Sequence, residues 1–101
     1  MTLRLSDAAF VEYADAFERY LIAGNATADR FAEAFLATLN LIERSPLLFP
    51  VYTAAPTRKI VRHTIVPRFP YVVLYQIEAP WISIIAVAHA SRTPGYWEER
   101  S

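Results

Sequence analysis

A chain of 101 residues is long enough for one hydrophobic core and too short for a second, so residues 1–101 are read as a single domain. Ten basic and ten acidic residues cancel to zero net charge at a pI of about 6.7. That excludes the strongly basic footprint of a dedicated nucleic-acid binder, whose domain pI exceeds about 9. The lack of cysteine excludes both a disulfide framework and a thiolate metal site.

In chain order, "TLRL" (2–5) alternates and predicts a short opening strand. Ser6 follows as a helix cap, with Asp7 at the positive end of the helix dipole. Phe10, Ala14, Phe17 and Leu21 then recur at helical spacing, and Glu12, Asp15, Glu18 and Arg19 fill much of the remaining surface. "AGNAT" ends this helix at Gly24 or Asn25, and Thr27 is expected to cap a second one. Its apolar stripe is Phe31, Phe35, Leu39 and Ile42, and it stops at Ser45-Pro46. So short a link makes the pair an antiparallel hairpin.

After "SPLLFPVYTAAPT", a loop with three prolines, the period changes from helix to strand. "KIVRHTIV" (59–66), "YVVLYQIE" (71–78) and "WISIIAVAH" (81–89) read as strands, the last two joined by Ala79-Pro80 as a hairpin. The order β-α-α-β-β-β predicts an α+β domain with the helical hairpin on one face of a small antiparallel sheet. Strict alternation in the last strand sets His89 on the face of Val87 and Ile85. The strands look apolar on both faces. The helices cover one, and the other is expected to be bare in a monomer, in keeping with 54% hydrophobic residues and the need for a partner.

Charge divides unevenly along the chain. Up to Pro50, four arginines stand against seven acidic residues, and beyond it six basic residues stand against three acidic ones. Asp7, Glu12 and Asp15 interrupt any signal-peptide core, and the charge-free stretch around "WISIIAVAHA" is too short to cross a bilayer. A cytoplasmic protein without membrane contact is expected. Two histidines without zinc spacing, and two distant glycines, Gly24 and Gly95, offer neither a metal site nor a phosphate loop, so no metal or cofactor is expected. The chemistry gathers in "HASRTPGYW" (89–97), where His89, Arg92, Tyr96 and Trp97 leave the last strand together. An arginine beside aromatic rings can clamp phosphate, stack on a base or anchor a protein partner. Equally, the rings can fold back to cap the core, with Arg92 over one of them.

Three motifs in order, "SPLLFPVY" (45–52), "RFPYVVLYQI" (68–77) and "IIAVAHASRTPGYW" (84–97), carry a resemblance. The chain resembles the ParE branch of the RelE/ParE superfamily, the small toxins of bacterial type II toxin–antitoxin (plasmid stabilisation) modules. The third motif is similar to the family's His-x-x-Arg-x-Pro-x-Tyr-Trp ending, here His89, Arg92, Pro94, Tyr96 and Trp97. This resemblance implies a toxin that binds and inhibits DNA gyrase and so blocks replication, without chemistry of its own. It implies no sequence-specific DNA binding by this chain. It also implies neutralisation by a ParD-like antitoxin, whose acidic residues would meet Arg58, Lys59, Arg62 and Arg68. RelE-like relatives instead cut mRNA in the ribosome and usually carry an arginine where this chain has Val72. A module that binds its antitoxin and does nothing further would share the same features.

Overall fold

The structure is a computed structural model and describes all 101 residues. Strand β1 (Thr2–Leu5) leads into helices α1 (Asp7–Ala23) and α2 (Asn25–Arg44). Strands β2 (Arg62–Ile65), β3 (Tyr71–Glu78) and β4 (Trp81–His89) follow, and a short 3₁₀ turn at Glu98–Arg100 ends the fold. The helical hairpin lies on one face of a four-stranded sheet of order β1-β4-β3-β2. Pairings β2–β3 and β3–β4 are antiparallel, as expected, but β1 joins β4 in parallel, so the sheet is mixed. β1 is thus an edge strand paired with β4 alone, and β2 forms the opposite edge.

Ser6 caps α1 as its type predicts, its Oγ accepting the Ala9 N–H at 3.1 Å. Gly24 alone links the helices, at φ 149°, its N–H donating to the carbonyls of Tyr20 and Leu21. Thr27 therefore lies inside α2 rather than capping it, and its Oγ1 accepts from Arg30 instead. The stripe of α2 is as read, with Phe31, Phe35 and Ile42 buried. That of α1 is rotated: Ala9 and Ala16 are buried, Tyr13, Phe17 and Tyr20 pack against the core, and Phe10 and Leu21 are exposed. Tyrosine explains the rotation. Tyr13 stacks on Phe35 with ring centres 4.3 Å apart, and Tyr20 sits 5.0 Å from Phe31, so both rings behave as core side chains.

The sheet's second face is not bare. Val61, Leu74, Ile85, Ala86 and Ala88 form a second core there under Trp97, with Tyr52, Val72 and Tyr96 packed around it. The C-terminal segment thus supplies for half of this face what the helices supply for the other. The remaining half, near the start of β4, is polar.

Candidate target-binding site

The site begins with a one-residue irregularity. Leu74 pairs with Ala86 and Tyr75 with Ile84, so Ile85 is a bulge in β4. Ile85 and Ala86 both face the second core, and the alternation then resumes with opposite phase. Val87 consequently packs against the helices, and His89 lies edge-on to Tyr71 with rings 5.2 Å apart. The expectation that His89, Val87 and Ile85 share a face is therefore corrected: the bulge sets Ile85 on the opposite side.

Beyond Leu5, which pairs with Ile84, β4 has no strand on its outer edge. Side chains take its place. Glu12 of α1 accepts the Val87 N–H through Oε1 at 3.0 Å, and Arg100 Nη1 donates to the Ile85 carbonyl at 3.2 Å. The same Arg100 nitrogen pairs with Glu12 Oε1 at 2.8 Å, and Tyr96 OH donates to Glu12 Oε2. One carboxylate therefore fastens the tail to both helix and sheet. Burial, then the bond to Glu12, drives the Tyr96 phenol well above its ordinary range. For Arg100, burial pulls downward, but the Glu12 carboxylate overcomes it and holds the pKa raised.

Between strand and tail the chain turns twice. Arg92 N–H donates to the His89 carbonyl at 2.9 Å, and Pro94-Gly95 form a turn in which Gly95 adopts φ 80°. A Cβ at Gly95 would stand 3.1 Å from that of Ala55 as well. The turn brings Tyr96 back beneath Arg92, whose Cζ sits 3.9 Å from the ring centre, while Arg100 approaches the same ring at 5.2 Å. His89 Nδ1 accepts the Ser91 N–H at 3.0 Å, which in the neutral ring places the proton on Nε2.

Of the four expected target residues, then, His89, Arg92 and Tyr96 stand together at one end of the sheet. Trp97 is 1% exposed and edge-on to Tyr52, so it supports the tail from beneath and presents no surface. Arg19 is a member that sequence reading passed over. It lines a cleft of about 90 Å³ with Glu12, Asp15, Tyr71, His89 and Arg92, and its Nη1 donates to Tyr71 OH at 3.4 Å. Its signal was its spacing, since Glu12, Asp15 and Arg19 share one helix face. No three metal-ligating side chains come together.

The four basic residues expected to meet an antitoxin are dispersed. Arg58 is bound through its N–H and Nε to Glu98 Oε1, and Arg62 Nη1 donates to the Phe49 carbonyl at 2.7 Å. Lys59 is exposed on the loop before β2. Arg68 occupies the β2–β3 turn at φ 72°, lining a groove of about 730 Å³ against α2 with Arg30, Ala34, Ala37, Pro67 and Phe69.

A helical hairpin on a mixed four-stranded sheet, with a cationic aromatic tail fastened to its open edge, defines a small α+β domain. Its fold is similar to that of a solved structure, the chromosomal ParDE toxin–antitoxin system from P. aeruginosa. The TM-score is 0.74 at 14% identity, over 88% of this chain and 95% of that one. No curated protein matches the chain. The profile of the family described as ParE toxin of type II toxin-antitoxin system, parDE, matches residues 3–94, and the chain belongs to that family. No helix is long and apolar enough to cross a membrane.

Proposed function

We propose that this toxin acts by binding DNA gyrase and blocking replication, with the tail around Arg92 and Tyr96 as the contact. One observation carries the reading. Arg92 is exposed at a cleft of about 210 Å³ lined mostly by apolar side chains, including Val72, Ala88 and Trp97. An mRNA-cutting toxin needs several cations around the scissile phosphate and groups to move the 2′-hydroxyl proton. Val72 stands where the ribonuclease branch usually carries an arginine, and the cations nearest Arg92 are already engaged, Arg100 with Glu12 and Arg19 with the Tyr71 hydroxyl. A rigid arginine–aromatic pair over an apolar floor suits a protein anchor.

The partner we infer is a ParD-like antitoxin. The groove between α2 and the β2–β3 turn has an apolar floor at Ala34, Ala37 and Phe69, and its rim sets Arg30 and Arg68 against Glu33, a positive balance that suits an acidic amphipathic helix. Arg68 holds a left-handed conformation that costs a non-glycine residue about 1–2 kcal/mol. Retaining an arginine there is consistent with its side chain being used.

The deciding experiment induces the protein alone and follows labelled thymidine and labelled methionine in one culture. Gyrase inhibition predicts that thymidine incorporation falls first while methionine continues. A fall in methionine first would establish mRNA cleavage instead, and growth untouched on both labels would leave only an antitoxin-binding module.

A further inference from the structure

The apolar stripe of α1 serves neither the core nor the contacts described so far. Phe10, Ala14, Phe17 and Leu21 recur at helical spacing, yet Phe10 is 58% and Leu21 44% exposed. Helical phase fixes where the stripe lies. Glu12 and Arg19 occupy the flank of α1 that meets the tail and Tyr71, so the stripe is on the other flank, beside α2. Tyr13, which stacks on Phe31 and Phe35, sets that flank against α2. On α2, Arg30, Ala34 and Ala37 line the groove at the β2–β3 turn. Leu36 lies on the opposite flank with Ala32 and Leu39, and is 59% exposed. The two helices therefore border one apolar, solvent-facing seam.

The charge along this seam has one sign. Asp7 and Glu18 edge it on α1, and on α2 Asp29 and Glu43 stand in line with Leu36, seven residues to either side; all four are exposed. Glu43 Oε2 also accepts the Leu3 N–H at 3.4 Å, a bond that leaves its charge in place. The hairpin's arginines lie off the seam. Arg19 reaches Tyr71 and Arg30 lines the far flank of α2, while Arg44 sits in the last turn, about 100° round the helix from Glu43. A second copy of the chain would set these four carboxylates against the same four, a like-charge arrangement that opposes docking. The stripe from Phe10 to Leu21 is about 16 Å long, which is three helical turns.

We propose that the seam binds a cationic amphipathic helix of another protein. Apolar side chains on one face of that helix pack against Phe10, Leu21 and Leu36, as the ridges of a third helix fill the space between two. Lysines or arginines flanking that face meet Asp7, Glu18, Asp29 and Glu43, and this complementarity selects a basic partner over an acidic one. The seam is separate from the contact at Arg92 and from the groove at Arg68, so its occupancy depends on neither reading.

The probe is a synthetic leucine–lysine amphipathic helix of about four turns, titrated into the isotope-labelled protein and followed by nuclear magnetic resonance. Backbone amide signals of Phe10, Leu21 and Leu36 should shift saturably, and the matching leucine–glutamate peptide should bind at least about tenfold more weakly. Leu36→Ser, an exposed change, should keep the parent's Tm and lose at least about tenfold in affinity. Glu18→Gln with Asp29→Asn should weaken binding severalfold and make it less sensitive to salt. Absence of saturable shifts at the seam overturns the proposal. So does equal binding of the leucine–glutamate peptide, or undiminished binding by Leu36→Ser. A dimer of the peptide-free protein that Leu36→Ser dissolves, seen by sedimentation equilibrium, would assign the seam to a second copy and overturn it as well.

Discussion

Arg92 enters none of the three ion pairs of the chain, and its close contact is the ring of Tyr96. A cation–π pair at an exposed site contributes about 0.5–1 kcal/mol, too little for the fold to depend on it. Arg92→Ala should therefore lower stability by no more than about 1 kcal/mol and leave antitoxin binding near that of the parent. If Arg92 touches the target, growth inhibition should vanish. Colony counts after induction, beside a binding measurement with the antitoxin, separate these effects, and a variant that still kills removes Arg92 from the contact. Tyr96 gives a different signature. In the unfolded chain its phenol ionises near pH 10, whereas in the fold the phenol keeps its proton well beyond that. The unfolded state thus loses the proton first, and stability should fall as pH rises past about 10. Tyr13, Tyr20 and Tyr75 are shifted in the same direction, so Tyr96→Phe should make the alkaline decline shallower without abolishing it. Urea unfolding at a series of alkaline pH values measures the slope; an unchanged slope would mean that neither burial nor Glu12 holds the phenol's proton.

At the scale of elements, legibility followed the strength of the local signal. Strands β1, β3 and β4 and the end of α2 fall where pattern and proline place them, because β-branched runs and Ser45-Pro46 leave little choice. The bulge at Ile85 had no such marker: Ile84, Ile85 and Ala86 are all apolar, and only pairing with β3 reveals which residue is extra. The rotated face of α1 escaped for a related reason, since Tyr13 and Tyr20 are core residues by contact rather than by type. The tail was visible as a cluster in sequence, but its attachment was not. Glu12 and Tyr96 are 84 positions apart, and no local rule joins them. The β2–β3 turn allows a direct test at this scale. Pro67 and Arg68 occupy its centre, with Phe69 N–H donating to the Val66 carbonyl at 3.1 Å. Arg68→Gly relieves about 1–2 kcal/mol of left-handed strain and loses about 0.5–1 kcal/mol through added freedom of the unfolded chain. The net gain should be about 0.5 kcal/mol, or a rise in Tm of about 2–4 °C. Antitoxin affinity should fall in the same variant if Arg68 flanks the docking groove. A rise in Tm with full affinity would release Arg68 from that role.

Over the whole molecule, the charge asymmetry of the sequence becomes a spatial one. Residues up to Pro50, which form β1 and the helical hairpin, carry a net charge of −3, and the remainder, which form most of the sheet and the tail, carry +3. With zero net charge, long-range attraction cannot come from a monopole, and orientation becomes the effective variable. An acidic partner is repelled by the acidic residues of the hairpin and drawn by the exposed cations, Arg68 with Arg30 at the groove beside α2 and Lys59 at a separate place before β2. Arg58 and Arg62 add field there even though both are bonded within the chain, because an intramolecular hydrogen bond does not remove a guanidinium's charge. Screening should expose this contribution. The Debye length shrinks from about 10 Å at 0.1 M salt to about 3 Å at 1 M, shorter than the spread of these groups. The association rate with an acidic antitoxin should therefore fall at least about tenfold over that range, while the dissociation rate should change far less if apolar contact in the proposed groove sets it. Stopped-flow mixing at graded salt measures both rates. A salt-independent association rate would mean that apolar contact alone guides docking and that the opposed charges of hairpin and sheet serve only the chain's own solvation.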